Sequence, residues 1–197
     1  MQQLYVDYDG VIVNTIKAIV EMYDARYWNH PDYQEVNWSE IESWDFTELT
    51  CASAEEIDSF FDTEEFFEKV EFMPWADLIL GKLNDFFDIH IVSMGHTKNL
   101  ELKQIWCKNN MPYATFEGFN FDEHTDKSKC NMKGGVFIDD VTQNLNTSNA
   151  IQRICYGDKY AWNKDWEGLR CANWFDIWKK IGVPKWKEWM LTGSVSC

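Results

Sequence analysis

Three apolar segments of this chain stop abruptly on polar residues, and each is followed within a few residues by a helical pattern. Leu4-Tyr5-Val6 ends on Asp7-Tyr8-Asp9-Gly10, Ile89-His90-Ile91-Val92 on Ser93, and Val136-Phe137-Ile138 on Asp139-Asp140. Strands alternating with helices predict a mainly parallel sheet with helices on both faces, since a parallel neighbour is reached only through a crossover. Sites in such sheets form at the carboxyl ends of the strands. Neighbouring strands would therefore bring Asp7, Asp9, Ser93, Asp139 and Asp140 together.

Between these strands the chain reads in order. Strand 3–7 leads into a helix over 13–28, with Ile16, Ile19, Val20 and Tyr23 on one face. His30-Pro31-Asp32 breaks that helix. Residues 32–72 change texture: acidic, aromatic and helical, with Ser53-Ala54-Glu55-Glu56 as a capping box opening one helix. This predicts an α/β core from 1–30 and 74–197 and a small helical insert over 31–73. Next come a helix over 75–87, a buried strand over 88–93, a turn at 94–97 and a helix over 98–109. A short strand lies within 113–121, then a polar loop over 125–132, with Lys127 and Lys129 in it and Lys133 just beyond. A strand over 135–138, a helix over 141–150, a strand over 152–156, a Trp-rich loop, a helix over 174–181 and a tail complete the chain.

The residue types at the strand ends suit phosphoryl transfer. One carboxylate of Asp7-x-Asp9 can attack phosphorus, and the other can protonate the leaving oxygen and later activate water. Ser93 Oγ and the N–H groups of Met94 and Gly95 can hold phosphate oxygens at a helix N-terminus. A lysine can neutralise the transferring group. Asp139 and Asp140 can complete a Mg²⁺ shell with Asp7 and the backbone carbonyl of Asp9, because Mg²⁺ prefers hard oxygen ligands.

The formal net charge is −15, which disfavours a polynucleotide substrate. A small phosphate ester remains compatible, because Mg²⁺ and a lysine reverse the field locally. The four histidines and six cysteines lack metal-ligand or Cys-x-x-Cys spacing. The reading is a reduced, cytoplasmic protein with no signal peptide and no membrane span, its oligomeric state open with a homodimer among the options. Aromatic residues make up 16% of the chain, with 11 Trp, and an aromatic-lined pocket is one use for them.

The three strand-end signals and the lysine before the last of them together resemble the haloacid-dehalogenase superfamily of phosphatases, with its Rossmann-like three-layer parallel sheet. The resemblance implies Asp7 as nucleophile, Asp9 as general acid/base and Ser93 as phosphate ligand. It also implies Asp140 as the direct Mg²⁺ ligand with Asp139 beside it, and a lysine before the last motif. Lys129, ten residues before Asp139, matches the family spacing best; Lys127 is next, and Lys133 lies close to the strand. The helical insert falls where this superfamily places its cap. Trp44-Asp45-Phe46, the Ile138-Asp139-Asp140 ending, and Tyr160-Ala161-Trp162-Asn163 followed by Arg170 and Asn173-Trp174 are similar to the 5′(3′)-deoxyribonucleotidases. That likeness implies a substrate pocket with Trp44, Phe46 and Asn14. Asn14 stands where many members carry Asp, and Ser93 where Thr is commoner. The implied substrate is a 5′-(deoxy)nucleoside monophosphate; another small ester such as a sugar phosphate, or a non-catalytic binding protein, are the alternatives.

Overall fold

The computed structural model describes residues 1–158 and 160–182. The tail of the expected core, 183–197 with Cys197, lies outside the described residues. Six parallel strands form one sheet in the order β3-β2-β1-β4-β5-β6. They are β1 (Gln2–Val6), β2 (Phe87–Gly95), β3 (Thr115–Asn120), β4 (Val136–Asp139), β5 (Gln152–Tyr156) and β6 (Leu169–Cys171). The sequence did not announce β6, whose three residues Leu169-Arg170-Cys171 are too few to show a period.

The helices are α1 (Thr15–Tyr27), α2 (Ala54–Phe60), α3 (Glu64–Lys69), α4 (Ala76–Leu83), α5 (Thr97–Asn110), α6 (Thr142–Thr147) and α7 (Trp174–Ile177). Helix α6 is shorter than the expected 141–150 because Ser148 takes an extended backbone as its C-cap. Strand β2 runs on through Met94 and Gly95, where a turn was expected, because β3 keeps pairing with it up to Gly95↔Asn120. The core is built on the inward faces: Leu4, Val6, Ile89, Ile91, Val136 and Ile138 from the sheet meet Ala18, Ile19, Met22, Leu80 and Leu83 from the helices.

Two features of this topology position the site. Strand β1 is central, with β2 on one side and β4 on the other, and Val6 is in register with both Ile91 and Ile138. The chain order reverses here, which opens a crevice beyond the strand ends. The segment between α1 and α4 adds no strand to the sheet. It holds the 3₁₀ turn Trp38–Glu40, α2 and α3. Its two ends lie side by side: Asn14 N donates to Glu71 O and Met73 N to Ile12 O, at 2.9 and 2.8 Å. The capping box forms, with Ser53 Oγ accepting from Glu56 N and Glu56 Oε2 accepting from Ser53 N. Among the described residues no helix is long and apolar enough to cross a membrane.

Candidate active site

The strand-end residues meet beside a cavity of about 490 Å³, lined among others by Asp7, Asp9, Met94, Gly95, Lys127, Asp140 and Trp44. Asp7 follows β1 and its backbone N–H donates to Ile138 O at 2.9 Å, which locks the end of β1 to that of β4. Its Oδ1 accepts from Tyr8 N at 2.7 Å and pairs with Lys127 Nζ at 2.6 Å. Its Oδ2 accepts no protein hydrogen bond among the described residues, so one oxygen is fixed and the other is left for chemistry.

Asp139 and Asp140 diverge in their surroundings. Asp139 is saturated: it accepts from Val141 N at 2.7 Å, from Asn144 Nδ2 at 3.2 Å on both oxygens, and from Lys127 Nζ at 2.6 Å. Among the described residues the Asp140 carboxylate accepts one bond, from Trp162 Nε1 to Oδ2 at 2.8 Å. Asp7, Asp139 and Asp140 are buried, and each can present one ligand atom within 4.8 Å of the other two. Burial, offset in part by Lys127, pushes the Asp7 carboxyl up to about 7, with Asp139 and Asp9 adding to the rise. Asp140 rises well above the carboxylate range through burial and its neighbours Asp7 and Asp139. Burial would lower Lys127, but Asp139 and Asp7 outweigh it and hold the ammonium charged. Three buried carboxylates share one ammonium, a deficit of positive charge that a divalent cation would remove. Hard oxygen donors and a free oxygen on both Asp7 and Asp140 fit Mg²⁺.

Asp9 is held from two sides. Thr15 Oγ1 donates to its Oδ1 at 2.9 Å, and Lys103 Nζ to its Oδ2 at 2.5 Å. Lys103 is 2% exposed and also donates to Ser93 Oγ at 3.1 Å and Met94 O at 2.8 Å. Ser93 is fully buried; its hydroxyl faces Asp9 Oδ2 at 3.3 Å and Met94 O at 3.4 Å. Both contacts are long for an O–H donor, so the proton is available to a better acceptor.

Three expected positions are corrected. Lys127, not Lys129, reaches the carboxylates: Lys127 is 2% exposed between Asp7 and Asp139, while Lys129 is exposed. The loop leaving Thr125 turns Lys127 inward, with Cys130 N donating to Lys127 O at 3.1 Å, so counting residues back from Asp139 misplaced the lysine by two. Asn14 does not line the cavity; its Oδ1 caps α1 by accepting from Lys17 N at 3.1 Å. Its neighbour Thr15 is the residue that touches the site. Phe46 is buried in the core at φ +47° and is absent from the cavity wall, though it supports Trp44 edge-on at 5.7 Å. Met94 and Gly95 line the cavity as the last residues of β2, directly before His96, the N-cap of α5.

Lys103, Asn144 and Trp162 were not foreseen. A signal for Lys103 existed. Asn99, Leu102, Lys103, Trp106 and Cys107 are the buried residues of α5, and their spacing is that of an amphipathic stripe with a lysine inside it. A buried lysine demands a carboxylate partner.

Comparison with known proteins agrees with this geometry. The family model described as "5′ nucleotidase, deoxy (pyrimidine), cytosolic type C protein" matches residues 1–186. A 5′(3′)-deoxyribonucleotidase of Clostridium acetobutylicum is 25% identical over 143 residues, 70% of this chain and 74% of that protein. A haloacid-dehalogenase family hydrolase of Deinococcus radiodurans, solved with bound phosphate and sodium, superposes with TM-score 0.61 at 12% identity. The alignment covers 92% of this chain and 95% of that one. A hydrolase of the same type from Bacillus subtilis, solved bound to magnesium, gives TM-score 0.52 at 12% identity over 92% and 99% of the two chains. At these identities the structural likeness establishes the fold.

Proposed function

This chain belongs to the family of cytosolic type C 5′ nucleotidases and is a phosphoric monoester hydrolase of the haloacid-dehalogenase fold, and from that premise we propose that it hydrolyses 5′-(deoxy)nucleoside monophosphates with Mg²⁺ through an aspartyl-phosphate on Asp7. The observation that carries the mechanism is Asp7 itself. Its Oδ1 is pinned by Tyr8 N and Lys127, its Oδ2 accepts no protein hydrogen bond among the described residues, and Asp7 lines the cavity.

In the first half-reaction Asp7 Oδ2 forms a bond to phosphorus while the bond to the leaving oxygen breaks, and Asp9 gives that oxygen its proton. In the second, Asp9 takes a proton from water, the water oxygen bonds to phosphorus, and the acyl-phosphate bond to Asp7 breaks, releasing phosphate. Thr15 and Lys103 fix both oxygens of Asp9 for these two roles. Lys127 bears on the nucleophile and offsets negative charge on the transferring group. The wall at Met94 and Gly95 receives the phosphate oxygens; Ser93, expected as a phosphate ligand, is fully buried behind that wall, where it accepts from Lys103. Asp7 and Asp140 would hold Mg²⁺, with Asp139 orienting Lys127 beside them. When bound, the metal neutralises phosphate charge and draws the three carboxylates into their ionised state.

The segment over 31–73 acts as a cap over the leaving group in this reading. Trp44 and Phe61 from that segment, with Phe121 after β3, line the cavity and offer flat surfaces to a nucleobase. The test is phosphate release by the purified full chain with Mg²⁺ against deoxy- and ribonucleoside monophosphates, 5′ and 3′, and sugar phosphates. The proposal expects the highest kcat/KM on a nucleoside monophosphate, abolished in Asp7→Asn. Faster turnover of sugar phosphates would overturn the substrate assignment.

A further inference from the structure

We propose that Trp162 is a positioning residue for Asp140: its indole N–H clamps one carboxylate oxygen so that the other is presented to the metal, and its ring carries the position of Trp44 into that clamp. The inference rests on the Mg²⁺ reading above and goes beyond it, to a residue outside the three strand ends and the loop lysine.

The bond is the one hydrogen bond that the Asp140 carboxylate accepts among the described residues, Trp162 Nε1 to Oδ2 at 2.8 Å. Gly10 makes room beside that oxygen. A Cβ at Gly10, whose φ is +69°, would stand 2.9 Å from Asp140 Oδ2. Asp139 is held by four hydrogen bonds and needs no further help. Without Trp162, Asp140 would be a buried carboxylate free to rotate about its side-chain torsion, and its ligand oxygen would lose a fixed place.

The indole is itself held rigidly. It stacks on Tyr160 with ring centres 4.6 Å apart and planes 6° from parallel, and Trp44 leans on it at 5.5 Å. The loop beneath it is clamped from β6. Arg170 donates to Gly157 O, Asp158 O, Asn163 Oδ1 and Asn163 O at 3.3, 3.0, 3.1 and 2.7 Å. The loop also touches the 31–73 segment through its backbone, Ala161 N to Glu42 O at 3.4 Å. Trp44 lines the cavity, so a displacement of Trp44 is transmitted to Asp140 through one ring. This gives a physical use to the Tyr160-Ala161-Trp162-Asn163 and Arg170 pattern, which the reaction itself does not require.

The test is Mg²⁺ titrated into the metal-free full chain by calorimetry, wild type against Trp162→Phe, with melting of both in EDTA. Phenylalanine keeps an aromatic ring between Tyr160 and Trp44 and removes the N–H. The expected result is a Mg²⁺ Kd raised about tenfold, the low end for a group that orients a metal ligand. The melting temperature in EDTA should stay within about 2 °C. Equal Kd values with a lowered melting temperature would make Trp162 a packing residue and overturn the inference. Absence of Mg²⁺ binding by the wild type would overturn the metal reading, and the inference with it. Should Trp162→Phe fail to fold, the indole N–H resonance of Trp162 in the ¹⁵N-tryptophan-labelled wild type decides. It should move on Mg²⁺ addition, and an unmoved resonance contradicts the clamp.

Discussion

Replacing Lys127 by methionine removes the one ammonium that, among the described residues, lies within reach of both Asp7 and Asp139. Its Nζ is 2.6 Å from an oxygen of each, and the side chain is 2% exposed. Breaking a buried ion pair from one side costs about 3–5 kcal/mol, because the partner charge stays buried and unpaired. Protonation of Asp7 limits that cost. Its carboxyl already stands at about 7 with Lys127 pulling it down, and without the lysine it rises further. The relief disables the site, since a protonated Asp7 cannot attack phosphorus. Lys127→Met should therefore melt roughly 6–20 °C lower in EDTA, at 2–4 °C per kcal/mol for a domain of this size. It should lose on the order of 10³-fold in single-turnover phosphate release. Mg²⁺ should recover part of the stability by supplying positive charge. Lys129→Met, at an exposed position, should change stability by no more than about 0.5 kcal/mol and leave turnover intact. The measurements are melting with and without Mg²⁺ and quenched-flow turnover of both variants. Near-wild-type turnover in Lys127→Met, or a greater loss in Lys129→Met, would refute the reasoning.

Lys103→Met should cost nucleotides, whose leaving oxygen needs a proton, roughly ten- to a hundredfold more in the first half-reaction than an aryl phosphate with a good leaving group, because Lys103 acts through Asp9; equal losses would make it structural. Trp44→Ala should lower kcat/KM for nucleotides by the worth of one stacked base, about 1–3 kcal/mol, while sparing a generic aryl phosphate. Phe46→Ala, by contrast, should cost about 3–5 kcal/mol of stability and damage both substrates alike, since its ring is buried; the reverse pattern in melting and kinetics would exchange their roles. The folded Asp7 carboxyl stands at about 7 against 3.8 unfolded, so its contribution to metal-free stability is full below about pH 4 and is lost as pH rises towards 7. Mg²⁺ binds the ionised form, so its effect on the melting temperature should grow across the same window. A flat or falling Mg²⁺ effect from pH 4 to 8 would contradict the shift.

The parts of this protein legible from sequence are those set by local pattern. Apolar runs ending on Asp7, Ser93 and Asp139 marked β1, β2 and β4, although β2 keeps its pairing with β3 for two residues beyond Ser93. Their meeting followed from the parallel topology. What escaped depended on loops. Lys127 and Lys129 lie two apart in a segment without periodicity, and only the turn at Lys127-Cys130 decides which one points inward. Asn14 and Thr15 are adjacent at a helix start, where capping takes one side chain and leaves the other to Asp9. Trp162 reaches Asp140 across 22 residues, a contact with no counterpart in local spacing. Phe46 shares the Trp44 motif, yet its positive φ turns it into the core.

The central claim is that phosphorus becomes bonded to Asp7 during turnover, and rapid quenching tests it most directly. The full chain with Mg²⁺ and a ³²P-labelled nucleoside monophosphate would be stopped in acid within the first turnover, reduced with borohydride and mapped by mass spectrometry. The account predicts acid-stable, base-labile label on the protein, and conversion of Asp7 to homoserine, with neither in Asp7→Asn. Label-free protein at every quench time under turnover, or modification at Asp9 or Asp140 with Asp7 untouched, would contradict it.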